Sequence, residues 1–244
     1  MIRKTALALL LAASGVSAHA VSAPITQWNF NSIPADASTA TGSSAANIGN
    51  GIASLIGGVT GGFGSGSANG GSSDPVTVDD TGWQTTGYSA QSAGNKSRGV
   101  AFNVSTLGYE NIVVGYDLRH SNTSSRYEQV QYSLDGLTFN DVALFSGNAG
   151  DTWFNSRSID LSSISGAANN ANFAFRVVGA FAPDTSAYAA ANSASTYAGT
   201  GTWRFDMVTV NGTAIAAVPE PKNYAMLLAG LGLMGFIARR RSSR

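Results

Sequence analysis

The 244-residue sequence predicts an all-β fold, a two-sheet antiparallel sandwich of the jelly-roll type. Three observations carry that prediction. Short stretches rich in Val, Ile, Phe, Tyr and Trp alternate with Gly-, Ser- and Asn-rich turns. Several of those stretches have the period of two that a half-buried strand requires, and no helical periodicity appears between residues 21 and 217. Eight or nine such strands without helices close most simply as two stacked sheets.

The first twenty residues stand apart from this body. Arg3 and Lys4 precede an apolar run from Ala6 to Ala13, and Ala18-His19-Ala20 puts small residues where a signal peptidase reads. The order predicts a Sec signal peptide over residues 1–20, cleaved after Ala20, with the Sec translocon and signal peptidase as partners.

Within the body, residues 21–217, Ile25 to Asn31 (ITQWNFN) reads as the first strand. Residues 35–73 are then Gly-, Ser- and Ala-rich. A chain of that kind loses much backbone entropy on ordering and has little to bury, which predicts a long mobile insertion loop. Ile52, Leu55, Ile56 and Val59 form the one apolar patch able to pin it. The β core proper begins near Val76. Its clearest strands are Gly99 to Val104 and Ile112 to His120; in the second, Ile112, Val114, Tyr116 and Leu118 share one face. Tyr127 to Leu134 repeats the alternation and ends in an Asp135-Gly136 hairpin signal. Trp153–Leu161, Asn172–Val178 and Thr202–Val210 complete the set, and the first and last strands are expected to pair.

Composition limits the chemistry. The whole chain is formally neutral, yet the body holds 7 basic and 13 acidic residues, a net charge of −6. An acidic body argues against nucleic-acid binding. There is no cysteine, so disulfides, thiol catalysis and cysteine-based zinc sites are excluded. Once His19 leaves with the signal peptide, a Ser-His-Asp triad would depend on His120, which follows a strand in a polar turn and reads as a surface residue. Glu110 and Glu128 are the only glutamates of the body, and neither sits in a recognisable catalytic setting. Asp79-Asp80 reads as a turn. No catalytic residue is assigned, and the protein is read as non-enzymatic.

The last 27 residues are organised differently. Val218-Pro219-Glu220-Pro221 leads to an uncharged run from Tyr224 to Ala238, followed by Arg239, Arg240 and Arg241. As a helix the run would span roughly 22 Å at about 1.5 Å per residue. That is short against a hydrocarbon core of about 30 Å, with snorkelling arginines covering the difference. The arginines mark the cytoplasmic side. The pattern predicts a single membrane helix over 224–238. Gly230, Gly232 and Gly235 spell a dinucleotide fingerprint by letter only, because no strand precedes them.

Taken together, Val218, Pro219, Glu220, Pro221, Tyr224 and the cluster Arg239 to Arg241 resemble the PEP-CTERM sorting signal of Gram-negative bacteria that make extracellular polysaccharide. The resemblance implies that residues 218–244 are a substrate of exosortase, a membrane protease-transpeptidase, and that Pro219-Glu220-Pro221 is acted on rather than acting. It also implies a transient inner-membrane anchor, then a cell-surface or extracellular location linked to exopolysaccharide or biofilm. Gly94 to Gly136 and Thr200 to Thr213 look like the jelly-roll, galactose-binding-like ectodomains attached to many such signals, which supports the fold and assigns no ligand.

Two ligand sites are weighed within the body. Arg119 and Arg126 offer guanidinium forks for a sugar or carboxylate, and Trp83, Tyr88 and Trp153 offer flat faces for sugar rings. On the opposite assignment, Arg119 and Arg126 pair with Asp117 and Glu128 and the tryptophans are core. Asp206, on the last strand, would join Asn29 or Asn31 of the first strand in a structural Ca²⁺ site built from oxygen ligands; no other cofactor is expected. The second functional reading is accordingly a carbohydrate-binding module for the cell's own polysaccharide.

Overall fold

A computed structural model describes residues 21–76, 78–216 and 221–242, with side chains described from Met226 onward in the last segment. The expected signal peptide with Ala18 and Ala20, and the motif residues Val218, Pro219 and Glu220, lie outside the described residues. The chain divides into two compact units after Ala214.

The first unit holds eleven strands among the described residues: β1 (Ser22–Trp28), β2 (Ile52–Ile56), β3 (Thr60–Ser65), β4 (Thr81–Thr86), β5 (Gly99–Asn103), β6 (Tyr109–His120), β7 (Tyr127–Ser133), β8 (Asn140–Ser146), β9 (Thr152–Asp160), β10 (Ala174–Ala180) and β11 (Trp203–Ala214). One sheet runs β3-β4-β11-β6-β9, with β1 also on β11, and the other runs β2-β5-β10-β7-β8. Every pairing is antiparallel. The pairs are nested: β7 with β8 innermost, then β6 with β9, β5 with β10, and β4 with β11. Successive pairs alternate between the sheets, which is how a folded double strand wraps into a jelly roll. β1 pairs with the second half of β11, so the first and last strands are neighbours as expected.

Alternation along each strand builds the core. Ile112, Val114, Tyr116 and Leu118 of β6 are all buried, and they face Val100, Phe102, Phe175 and Val177 of the other sheet in one cluster. Aromatic rings span it, with Trp28 5.0 Å from Phe102, Phe102 4.9 Å from Phe175, and Phe30 stacked on Trp83 at 5.4 Å.

Residues 35–73 are not an unstructured insertion. β2 extends the second sheet beside β5, and β3 extends the first beside β4. The Gly57-Gly58 step between them, with φ of 72° and 89°, carries the chain from one sheet to the other. Glycine suits β3 because a Cβ at Gly61 or Gly64 would meet Trp83 or Arg204. The apolar patch pins this segment only in part, since Val59 is buried while Ile52 remains 67% exposed.

Among the described residues the second unit contains one helix, α1 (Pro221–Ser242). Among the described residues no helix is long and apolar enough to cross a membrane. That corrects the expected span over 224–238: the apolar run is brief, and the same helix takes in Arg239, Arg240 and Arg241 in its last turn. Leu228, Leu233, Met234 and Phe236 are exposed along it.

Candidate functional site

Strand β11 positions the most distinctive polar group of the body. Its partner β6 matches it residue for residue up to Asp206 opposite Asp117, and the register then slips before Thr209. The slip is a β-bulge centred on Met207, whose φ is 47°. It turns the Met207 N–H onto Asp206 Oδ1 at 2.7 Å. A matching slip in β9 opposite Asp117 lets the Ser156 N–H donate to Asp117 Oδ1 at 2.7 Å.

The chain after β3 crosses this face as a strap. Ser72 Oγ donates to Asp206 Oδ2 at 2.7 Å, and the Ser73 N–H donates to Asp117 Oδ2 at 2.6 Å. Trp153 Nε1 and Asn155 Nδ2 donate to the carbonyls of Ala68 and Gly71. The strap brings Asp74 in, and the turn before β4 brings Asp80, so oxygens of Asp74, Asp80 and Asp206 lie within 4.8 Å of one another.

This cluster fits a hard cation. All three donors are carboxylates. Asp80 is 5% exposed, and its buried Oδ1 has no hydrogen-bond partner. Gly66 closes the space above: a Cβ there would stand 1.8 Å from Asp80 Oδ1 and 2.9 Å from Asp206 Oδ2. Burial pushes the Asp206 carboxyl up to about 8, against its hydrogen bonds and with the charges of Asp74 and Asp80 adding. Burial and then the Asp74 charge raise Asp80 to about 6. Without a cation the cluster therefore holds protons that ordinary aspartates release.

The structure places Asp206 in this cluster but not the companions expected for it. Asp206 is at the cluster, but Asn31 stands behind it, donating to Asp74 Oδ2 at 2.9 Å and accepting the Thr81 N–H at 2.8 Å. The Asn29 backbone N–H donates to Asn47 Oδ1 at 3.0 Å. Asp80, read as a plain turn residue, is a member. The Asp-Asp dipeptide was the available signal, but nothing local in the sequence places it against β11.

The proposed sugar platform does not assemble. Trp83 is 6% exposed and packs inward on Phe30, and Tyr88 is buried against Trp203. Trp153 lies beside Arg119 across the β6–β9 pairing, with the strap over it. Arg119 pairs with Asp151 at 2.6 Å rather than with Asp117, whose two oxygens are already occupied by backbone N–H groups. Arg126 donates through Nε to the Ala190 carbonyl at 3.0 Å and does not meet Glu128.

His120, expected at the surface, is fully buried at the end of β6. Its Nε2 lies 2.9 Å from Glu128 Oε2 and its Nδ1 2.9 Å from the Ser125 carbonyl. Glu128 Oε1 in turn accepts from Arg157 Nε at 2.8 Å. The triad ties the two sheets together, because Glu128 is on β7 while His120 and Arg157 are on β6 and β9.

Comparison with known proteins bears on the tail. A family model described as the PEP-CTERM protein-sorting motif matches residues 217–241. The chain carries a PEP-CTERM sorting motif. The match spans the Pro-Glu-Pro step, the apolar run and Arg239 to Arg241, the same residues that carried the resemblance. No curated protein matches the chain. Among solved structures, the chain is similar to the CBM22-1–GH10 modules of Clostridium thermocellum xylanase 10B at 13% identity and a TM-score of 0.42. That match covers 66% of this chain and 26% of that one. It is also similar to the CBM22-1 xylan-binding domain of Paenibacillus barcinonensis Xyn10C, at 10% identity and TM-score 0.40, covering 67% and 87%. The K1 cleaved adhesin domain of Lys-gingipain from Porphyromonas gingivalis matches at 12% identity and TM-score 0.38, covering 68% and 100%. The chain spans about a quarter of the xylanase structure, and no ligand or activity follows from likenesses of this size.

Proposed function

We propose that this is an exported, non-enzymatic protein whose tail is cut by exosortase at Pro219-Glu220-Pro221, leaving the β-sandwich at the cell surface or in an extracellular matrix. The observation that carries the proposal is the sorting motif at residues 217–241. Its parts suit the task. The apolar run and the Arg239 to Arg241 cluster complete the sorting signal, which on this proposal keeps the tail at the inner membrane until it is cut. The signal peptide over residues 1–20 supplies entry through the Sec translocon.

The acidic cluster supports a structural rather than a catalytic role. Raised carboxyl groups also mark enzyme acids. Here Asp206 is 0% exposed beneath the strap, which suits a small cation better than a substrate. On this proposal Asp74, Asp80 and Asp206 hold Ca²⁺, which neutralises their mutual repulsion and fixes the strap to β11. A body without disulfides gains rigidity outside the cell by that means. The link to exopolysaccharide or biofilm rests on the sorting signal's resemblance, and binding to the cell's own polysaccharide is the second reading.

The sorting proposal is tested by mass spectrometry of the surface protein in cells with and without exosortase. Wild-type protein is expected to lack both residues 1–20 and the tail, and Glu220→Ala is expected to accumulate with its tail intact. Equal processing in cells lacking exosortase would overturn it.

A further inference from the structure

At one end of the sandwich, the loops after β4 and β10 and the residue before β7 border an open surface hollow of about 360 Å³. That is within the range of about 300–1,000 Å³ occupied by small-molecule sites. Its wall includes Gln91, Arg126, Asn192, Ser195, Thr196 and Tyr197, and no acidic residue.

The hollow is built before any ligand arrives. The Arg126 N–H donates to the Ala189 carbonyl at 2.8 Å, and the Ala191 N–H donates to the Ser124 carbonyl at 3.0 Å. Gln91 ties the two loops with a pair of bonds to the Tyr188 backbone, at 2.9 and 2.8 Å. The Tyr197 hydroxyl donates to the Ser89 carbonyl at 2.6 Å, and the Tyr188 and Tyr197 rings stack at 4.6 Å. Such prior ordering reduces the entropy lost on binding.

Arg126 is the charge in this wall. Its Nε is fixed on the Ala190 carbonyl at 3.0 Å, which sets the plane of the guanidinium. Among the described residues no carboxylate pairs with it, and its two terminal nitrogens have no protein partner. The side-chain hydroxyls of Ser195 and Thr196 are likewise unengaged there. A half-buried guanidinium edge with no carboxylate partner selects a planar anion that can accept two parallel N–H bonds. The surrounding hydroxyl and amide groups are those that meet sugar hydroxyls.

We propose that this hollow binds a uronic acid unit of an extracellular polysaccharide, with the carboxylate on the terminal nitrogens of Arg126 and ring hydroxyls on Asn192, Ser195 and Thr196. The proposal deepens the polysaccharide-binding reading above and rests on it.

Calorimetric titration of the purified full chain tests it, with galacturonate, glucuronate and mannuronate oligosaccharides set against their methyl esters. At least one acid form is expected to bind tenfold or more tightly than its ester, with affinity falling as salt rises. Arg126→Gln is expected to lose that tenfold preference at unchanged thermal stability. Thr196→Trp, which fills the hollow and leaves Arg126 anchored, is expected to abolish binding, and serves if Arg126→Gln does not fold. Equal affinity for acids and esters, or binding indifferent to both variants, would overturn the uronate site while leaving polysaccharide binding intact. Absence of binding to every acid and ester, and also to neutral polysaccharide, would overturn both.

Discussion

At the scale of single residues, the body's stability concentrates in a few buried charges. Glu128 has no exposure and two close partners, Arg157 Nε at 2.8 Å and His120 Nε2 at 2.9 Å. Removing one member of a buried ion network leaves the others desolvated without a partner, a cost of about 3–5 kcal/mol. Glu128→Ala is therefore expected to lower the unfolding free energy by that amount in urea titration. Lys96→Ala, which breaks the surface pair with Asp141, should cost less than about 1 kcal/mol. A Glu128→Ala loss no larger than that of Lys96→Ala would mean the triad is not a tie between the sheets.

Asp206 and Asp80 make a prediction of opposite sign from the usual carboxylate. Their folded-state values are raised, to about 8 and about 6, so the native chain binds more protons than the unfolded one between about pH 4 and 8. Stability then falls as pH rises through that window. In chelator, Tm should drop steadily from pH 5 to 8, whereas millimolar Ca²⁺ should flatten the curve by neutralising the ionised cluster. Asp206→Asn should remove most of the pH dependence in chelator together with the Ca²⁺ response, and Gly66→Ala should block the response by occupying the cavity. A chelator-insensitive Tm at pH 8 would count against the cation.

At the scale of elements, the segment before β4 is the sharpest case. A true insertion loop could be shortened at small cost, since loop closure depends only weakly on length. Residues 44–66 instead supply β2 and β3, an edge for each sheet, and Phe63 packs on the core. Replacing 44–66 with a short flexible linker is expected to expose β5 and β4 as bare edges and to yield aggregated protein on size-exclusion chromatography. Recovery of a monomer of unchanged Tm would restore the loop description. The strand β11 shows the reverse relation: its length was underestimated by its apolar pattern, because Asn211 to Ala214 pairs with β1 and β6 through backbone bonds that composition does not reveal.

At the scale of the whole molecule, the two ends of the argument come from different physics. The tail was legible because its information is linear: order and spacing of Pro-Glu-Pro, an apolar run and three arginines constitute the signal. The sandwich was legible because alternation of side chains along a strand is a local consequence of the pleat, as in Ile112, Val114, Tyr116 and Leu118. Asp206 was singled out by its place on the last strand, beside the expected pairing with the first. Its partners were not, since Asp74 and Asp80 lie more than a hundred positions away and only the crossing of the strap over β11 brings them close. His120 was misplaced for a related reason. A polar residue at a strand end reads as exposed unless its buried partners are known, and Glu128 and Arg157 reach it only when the sheets stack. The sequence alone thus determined class, pairing of the ends, charge and sorting signal, all of which depend on neighbours along the chain. The tertiary structure alone decided which tryptophans are core, which acids cluster and that Arg126 meets no carboxylate among the described residues, because burial and electrostatic partnership are set by contacts between distant segments.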